Sequence, residues 1–456
     1  MQVGVTMQVK SQRIWIKNPL DCLDPAYAGG IVIQNDLIVE LIRAGEQPLQ
    51  AVDEVVDAHE HVLIPGLINS HHHFYQTLTR AFPAALNKNL FPWLQSLYPV
   101  WARLTPEMIA TSTQIALCEL LLSGCTTASD HHYLFPNGLE HAIDIQVEQA
   151  TELGIRVHLT RGSMSLGEDQ GGLPPRTTIQ TDREILDDSQ RLIKAYHQYE
   201  DGAMTRIALA PCSPFSVSEE LMRATADLAQ ELDVRLHTHL AETHDETDFC
   251  IKMFGVRPVD YLERVGWLNN RTWLAHGIHF NDEEIARLGK ANVGIAHCPS
   301  SNMLLASGQC PTIALQEAGC PVGLGVDGSA SNDGSNMIGE VRQALLLQRL
   351  RYGAEEITHQ KAFEWATIGS AGCLGRDDIG EIAVGKQADI ALFKLDEIRF
   401  AGAGSPVAAI LLCGATKADK VMVAGKWRVL EGQIVGVDMN QLMAKQITLA
   451  ANLARA

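Results

Sequence analysis

The chain has 456 residues, of which 46% are apolar and 20% are charged, and its formal net charge is −18. This composition is typical of a globular protein. The acidic balance argues against a nucleic-acid partner, because no basic excess is available to neutralise a phosphate backbone. We expect no membrane span, since no uncharged apolar run reaches about 18 residues.

The start of the chain and its cysteines bear on cellular location. Residues 1–17 include charged side chains and have no continuous apolar core, so we expect no secretory signal. The ten cysteines are scattered and form no Cys-x-x-Cys pair, which predicts reduced thiols in a cytoplasmic protein. The sequence does not decide whether Met1 or Met7 is the native start.

Residues 1–64 carry short β-like runs at 13–17, 30–34, 37–41 and 62–64. Asn35 and Asp36 stand between two of these runs as a hairpin turn. None of the runs is long enough to enclose a large core. They predict part of a small β domain.

From residue 65 onward, short apolar strands alternate with amphipathic helical stretches. Eight strands are predicted, at 67–70, 126–130, 155–161, 206–211, 234–240, 272–276, 293–297 and 322–327. Eight strand–helix units predict an α/β fold in which residues 65–377 form a closed (β/α)₈ TIM-type barrel. The alternative, an open doubly wound sheet, should carry a Gly-x-Gly-x-x-Gly after an early strand, and none is present.

Two predicted connections are too long for plain barrel loops, residues 74–105 and 163–181. Loops of such length inside a barrel are usually functional. The first is rich in aromatic side chains. We expect Trp101 to contact a ligand, and we interpret Trp93 and Tyr98 as a local hydrophobic core.

The β character returns after the last barrel helices, with strands predicted at 388–394, 408–413, 420–423 and 426–431. We expect residues 378–435 to combine with residues 1–64 into one composite β-sandwich built from both ends of the chain. The Ala- and Leu-rich residues 436–456 predict a C-terminal helix.

Polar side chains close several predicted barrel strands, where barrel enzymes carry their chemistry. Four strands end in imidazoles or a carboxylate: His71 and His73 on the first, His237 and His239 on the fifth, His276 on the sixth and Asp327 on the eighth. Imidazoles with a carboxylate are suitable ligands for a divalent metal such as Zn²⁺. The agreement of separate strand ends predicts a metal centre, and His239 is the better ligand than His237 because it lies nearer the strand end.

Three residues beside the predicted metal are suited to proton transfer. Glu242 lies just past the fifth strand, within reach of a metal-activated water. Asp327 can both bind the metal and accept a proton from that water. His276 can hydrogen-bond the water or the developing charge when it is held in one tautomer.

Taken together, several motifs resemble the amidohydrolase superfamily. They read Pro-Gly-Leu-Ile-Asn-Ser-His-His-His, His-Leu-Ala-Glu-Thr, Trp-Leu-Ala-His and Gly-Val-Asp-Gly-Ser, with Val-Gly-Lys-Gln-Ala-Asp-Ile near the end. The resemblance implies a mononuclear aminohydrolase whose ligands are His71, His73, His239 and Asp327. It implies one Zn²⁺ per subunit, with Fe²⁺ as the alternative, a proton-shuttling pair of Glu242 and His276, and a homo-oligomer.

Five residues near the predicted barrel mouth are candidates for contact with a flat nitrogen heterocycle. The Gln76 amide can donate and accept hydrogen bonds on the edge of such a ring. The other candidates are His132 at the second strand, Arg161 and Ser163 at the third, and Trp101 in the aromatic connection. For each of them, a structural role in its loop is the alternative.

The loop stretches around these candidates are similar to those of 8-oxoguanine deaminases and bacterial s-triazine hydrolases. The similarity implies hydrolytic deamination of 8-oxoguanine to urate and ammonia by a metal-activated water. The alternatives are deamination of another aminopurine, a pterin or an isocytosine-like ring, or an s-triazine (hydroxyatrazine-type) aminohydrolase. A metal-binding structural protein is the non-enzyme reading, and it would release no ammonia.

Overall fold

Eight parallel strands form the centre of the structure, a computed structural model that describes residues 12–455. The strands pair in chain order: Leu67–Asn69, Cys125–His132, Arg156–Ser163, Thr205–Pro211, Leu236–Leu240, Thr272–His276, Gly294–His297 and Val322–Leu324. The first and last meet where Ser70 N donates to Leu324 O at 2.9 Å and Asp327 N donates to His71 O at 3.0 Å. The predicted (β/α)₈ barrel is confirmed. The choice between Met1 and Met7 lies outside the described residues.

Helices follow the barrel strands and cover the outside of the sheet. Their bounds are Leu90–Trp101, Pro106–Leu122, Ala142–Leu153, Asp182–Tyr196, Glu219–Glu231, His244–Phe254, Pro258–Arg264, Asp282–Lys290, Pro299–Leu304, Thr312–Ala318, Met337–Tyr352, His359–Glu364 and Ser370–Cys373. A π-helical turn, Trp365–Gly369, joins the last two. None of the helices between residues 12 and 455 has the length and apolar character that a bilayer crossing requires.

Two further sheets lie beside the barrel. The smaller sheet has the strand order Leu37–Ile42, Gly30–Gln34, Arg13–Lys17 and Glu54–Asp57. The larger has the order Gln433–Ile434, Lys426–Leu430, Lys420–Val423, Ile390–Lys394, His61–Pro65 and Asp21–Cys22. Strands from both chain ends therefore share one sheet.

The two smaller sheets share an apolar core. Ile16 and Ile31 of the smaller sheet pack in one cluster with Leu63, Ile390 and Met422 of the larger. This packing supports a sandwich built from residues 1–64 and 378–435, although that division of the chain stays a prediction. The final helix runs over Met439–Arg455.

One predicted strand is wrong. Residues 408–413 are mostly helical, because a helix runs over Pro406–Leu412. Ser405 caps this helix by accepting a hydrogen bond from Ala408 N, and Pro406 occupies its first turn. A serine cap followed by proline starts a helix, and this signal outweighs the strand tendency of the apolar run that follows.

A single residue, Gly66, separates the sandwich strand His61–Pro65 from the first barrel strand, Leu67–Asn69. A Cβ atom at Gly66 would lie 2.2 Å from Thr126 Oγ1, so no larger residue fits there. Arg156, fully buried in the barrel, donates from Nε and Nη2 to the carboxylate of Asp389 at 3.0 and 3.2 Å. The barrel and the sandwich are thus joined by continuous backbone and by a buried ion pair.

Candidate active site

His71 lies just beyond the first barrel strand, and its tautomer can be read from its neighbours. His237 Nδ1 lies 2.8 Å from Trp273 O and must donate to it, because a carbonyl only accepts. Burial holds the pKa of His237 well below its usual value, so the ring is neutral and its Nε2 is an acceptor. His71 Nδ1 donates to that nitrogen at 2.8 Å. The other nitrogen of His71, Nε2, therefore carries no proton and presents a bare lone pair. It is buried and has no hydrogen-bond partner among residues 12–455.

Backbone carbonyls, which can only accept a hydrogen bond, also fix the tautomers of His73 and His239. His73 Nδ1 donates to His131 O at 2.7 Å, and His239 Nδ1 donates to Cys212 O at 2.6 Å. Burial, followed by repulsion from His71, lowers the pKa of His73 to about 3, so this ring is also neutral. The two bare Nε2 atoms then face each other at 3.2 Å. Two acceptors at that distance repel unless a cation or proton lies between them.

Asp327 completes this group of donor atoms. Its Oδ1 lies 3.4 Å from His71 Nε2 and 3.3 Å from His73 Nε2. Burial alone would raise the pKa of Asp327, but the neighbouring imidazoles of His71, His276 and His73 outweigh it and hold that pKa well below its usual value. Three neutral imidazole lone pairs and one carboxylate converge at the barrel mouth. This donor chemistry fits a divalent metal ion.

Glu242 and His276 lie beside the four donor residues. His276 Nε2 is 3.4 Å from Glu242 Oε2 and 3.9 Å from Asp327 Oδ2, while His276 Nδ1 is 3.0 Å from Asn302 Oδ1. Burial favours neutral His276, but the carboxylates of Glu242 and Asp327 outweigh it and raise the pKa. Burial also raises the pKa of Glu242. The pair can therefore hold and transfer a proton.

Glu246 fixes the backbone on which Glu242 stands. Its carboxylate accepts a hydrogen bond from Ala241 N at 2.7 Å and another from Glu242 N at 3.1 Å. Ala241 has a φ of 54°, in the left-handed region that alanine rarely adopts. The two bonds of Glu246 hold this turn, and Glu246 is thus a positioning residue for Glu242.

We expect Glu246→Gln to lower kcat by about 10- to 100-fold, because one of the two bonds is lost and the Glu242 carboxyl shifts. KM and metal content should change much less. Steady-state kinetics with metal analysis of the same preparation check this. Glu283→Gln, an identical change at an exposed helix position, is the matched control. A kcat equal to that of the control would rule out the positioning role.

A cavity opens directly onto these groups. His73, His239, Glu242, His276 and Asp327 form its polar floor, and its remaining wall consists of Gln76, Leu90, Trp93, Leu94, Tyr98, Tyr133, Cys212, Phe215, Leu305 and Ser331. A polar floor under aromatic and aliphatic walls suits a flat heterocycle that presents one polar edge. Of the five predicted ring contacts, the structure brings only Gln76 to this wall.

The aromatic side chains lie differently around the cavity than the sequence predicts. Trp93 and Tyr98, interpreted as a local core, line the cavity, whereas Trp101 does not. Trp101 lies at the end of the helix Leu90–Trp101, where its ring packs against Tyr75 and its Nε1 donates to Thr79 Oγ1 at 3.2 Å. It is one helical turn beyond the cavity, and its hydrogen-bonding group is already used.

His132, Arg161 and Ser163 also lie away from the cavity wall. Strand alternation turns His131, not His132, toward the site, where its ring stacks on that of His239 at 4.7 Å. His132 Nε2 donates to Leu134 O at 2.7 Å. Arg161 Nε donates to Asp188 at 2.8 Å on the helix side of the sheet, and Ser163 is buried.

Sequence reasoning assigned no supporting role to three residues that hold Glu242 and His276 in place. Asn302 orients His276, Ser307 Oγ donates to Glu242 Oε1 at 3.0 Å, and Glu246 holds the turn before Glu242. Asn302 stands in a polar stretch after the seventh strand, a usual signal for a barrel active site. Glu246 is a carboxylate in the first turn of the helix that follows the fifth strand. Ser307 carries no local signal.

Comparison with known proteins places this site among metal-dependent hydrolases. The amidohydrolase family model matches residues 62–428. The chain is 64% identical to the 8-oxoguanine deaminase of Pseudomonas aeruginosa PAO1 over 446 residues, covering 97% of this chain and 99% of the relative. It is 35% identical over 423 residues to an isoxanthopterin deaminase from an unknown prokaryotic organism, covering 88% of each chain.

A solved structure has a similar fold. The atrazine chlorohydrolase TrzN from Arthrobacter aurescens TC1, complexed with zinc, matches with a TM-score of 0.91 and 32% identity over 96% of this chain and all of that one. The buried histidine and aspartate groups of the present chain and the zinc in this neighbour together support a divalent metal centre.

Proposed function

Because the chain belongs to the amidohydrolase family, we propose that it hydrolyses 8-oxoguanine to urate and ammonia. The observation that carries the choice of substrate is the 64% identity to an 8-oxoguanine deaminase over almost the whole of both chains. The reaction type is supported by the buried carboxyl groups beside a divalent metal site.

We propose that one Zn²⁺ per subunit is held by Nε2 of His71, His73 and His239 and by the carboxylate of Asp327, with Fe²⁺ as the alternative ion. The fit is supported by the three bare imidazole nitrogens, one of which is buried without any partner. When bound, such an ion supplies Lewis-acid chemistry that makes water a nucleophile at neutral pH.

The protein side chains then transfer the protons. Asp327 accepts a proton from the attacking water, whose oxygen forms a bond to the ring carbon that bears the amino group. Glu242, favoured in its protonated form by burial, donates a proton to the adjacent ring nitrogen. His276 donates a hydrogen bond to the oxygen atom that adds to the ring carbon.

Departure of ammonia completes the reaction. Asp327 gives its proton to the amino nitrogen, the carbon–nitrogen bond breaks, and the new hydroxyl group on the ring carbon becomes a carbonyl as its proton passes to Glu242, which is thereby reprotonated. Water and 8-oxoguanine together thus give urate and ammonia with no other reactant. We propose that Gln76, whose Oε1 accepts a hydrogen bond from Ala330 N at 3.3 Å, binds the polar edge of the ring.

A spectrophotometric assay of the zinc-loaded protein tests the proposal. Urate should form from 8-oxoguanine with a kcat/KM well above that for guanine, isocytosine, isoxanthopterin or a hydroxytriazine. A pterin is the second candidate, because the isoxanthopterin deaminase is also a near full-length relative. Ammonia from one of the other rings, with none from 8-oxoguanine, would refute the choice of substrate and leave the metal centre in place.

We also propose that the protein works in the cytoplasm as a homo-oligomer, without a nucleic-acid partner. The net charge of −18 supports the last point, since a polyanion would be repelled. Light scattering of the purified protein checks the oligomeric state, and a molecular mass of one chain would refute it.

A further inference from the structure

A second cavity, of about 310 Å³, lies at the end of the barrel opposite the candidate active site. Four of its residues stand at the starts of neighbouring barrel strands: His158 on the third, Arg206 on the fourth, and Arg235 and Arg271 immediately before the fifth and sixth. The active-site residues occupy the other ends of these strands. We call this cavity the basal cavity.

The wall of the basal cavity is positively charged in an acidic protein. Its three arginines face one carboxylate, that of Asp233, which gives a net charge of +2 with neutral histidines, whereas the whole chain carries −18. Asp233 is paired with Arg271. Arg206 donates to the backbone carbonyls of Tyr199, Glu200 and Gly375.

Arg235 is the arginine of this wall whose positive charge no carboxylate balances among residues 12–455. Among residues 12–455, its guanidinium has no hydrogen-bond acceptor and no carboxylate partner, and its Nε is buried. The guanidinium lies 5.9 Å from the centre of the Trp273 ring. Burial and repulsion from Arg271 and Arg206 lower the pKa of Arg235 to about 10, so an anion nearby would be strongly favoured.

His158 adds an unsatisfied donor to the same cavity. Only 3% of the residue is exposed, yet neither ring nitrogen has a hydrogen-bond partner in the described part of the chain. Even a neutral imidazole carries one N–H, so at least one buried donor lacks an acceptor. Native proteins rarely leave such a donor unmatched, and an oxygen atom inside the cavity would satisfy it.

We propose that the basal cavity binds a small oxyanion of the phosphate class. The donors of Arg235 and His158 come from different strands, and an oxyanion with several acceptor oxygens can satisfy both at once. The cavity has room for such an ion with accompanying water. Bound there, the anion would link the start of the third barrel strand to that of the fifth, so we expect it to stabilise the fold without entering the reaction.

Thermal unfolding of the metal-loaded protein tests this proposal, with inorganic phosphate as the probe and sodium chloride at matched ionic strength as the reference. A ligand that binds only the folded state raises Tm in a concentration-dependent way. We expect a saturating rise for the wild type that disappears in Arg235→Met. Arg183→Met removes the same charge from a helix position that is 91% exposed and should respond like the wild type.

An equal rise in all three proteins would refute the site, because phosphate would then act elsewhere, for example at the metal centre. The absence of any rise would refute it as well. If Arg235→Met fails to fold, a crystal structure of the wild-type holoenzyme soaked in phosphate decides the question. Density between Arg235 and His158 is expected, and a basal cavity that holds only water would overturn the proposal. Neither outcome depends on which ring the enzyme deaminates.

Discussion

Glu242→Gln is expected to lower kcat for ammonia release by about 10²- to 10⁴-fold, the usual contribution of a general acid. The glutamine amide keeps the size of the side chain and can still accept the hydrogen bond that Ser307 Oγ gives to Oε1. It cannot, however, give a proton to the ring nitrogen at neutral pH. Metal content and Tm should stay close to those of the wild type, because Glu242 is not among the four proposed metal ligands.

The control for the kinetics of Glu242→Gln is Glu220→Gln, which makes the same chemical change on an exposed helix surface. The two variants differ only in where the carboxyl group is lost. Comparable kcat values for both would refute Glu242 as the proton donor. If Glu242→Gln lost bound metal in proportion to its loss of kcat, Glu242 would instead be assigned a part in metal binding.

Removal of the metal is expected to abolish ammonia release and to lower stability. If the ion binds only the folded protein, free zinc at about 1,000 times its dissociation constant stabilises the fold by about 4 kcal/mol. Without it, the bare Nε2 atoms of His73 and His239 face each other at 3.2 Å. Dialysis against a chelator should therefore lower both activity and Tm, and added zinc should restore both.

Metal analysis of each dialysed sample is the control for this experiment, since trace ion can sustain activity. Asp327→Asn, which removes one proposed ligand charge, should need more zinc to recover. Full activity in a sample shown to be free of metal would contradict the proposed mechanism. If Fe²⁺ and not Zn²⁺ restored activity, the proposed metal site would stand and its ion would be Fe²⁺.

The barrel could be predicted because short apolar runs alternate with longer helical stretches, several of which have a clear 3.6-residue periodicity, as in Asp182–Tyr196 and Asp282–Lys290. The strand at residues 272–276 was predicted to the residue. The error at residues 408–413 came from judging an apolar run by hydrophobicity alone. The Ser405-Pro406 cap in front of it was the stronger local signal.

The candidate site was predictable to the extent that it lies on strands. Strand-end position in the predicted barrel, with alternation along each strand, indicated that His71, His73 and His239 would lie together, as they do in the structure. Alternation alone could not choose between His131 and His132, because both faces of Cys125–His132 carry polar side chains. The ring contacts stay predictions, and Trp93 and Tyr98 reach the cavity wall because they lie on a helix whose placement over the barrel mouth depends on tertiary packing, which no local pattern encodes.

The junction at Gly66 has a consequence for protein engineering. A catalytic fragment cut at residues 65 and 377 would detach the proposed metal-binding histidines from the strand that precedes them. It would also remove Asp389, and with it the ion pair that Arg156 makes in the intact protein. Any minimal version of this enzyme must therefore retain the sandwich strands that precede and follow the barrel in the sequence.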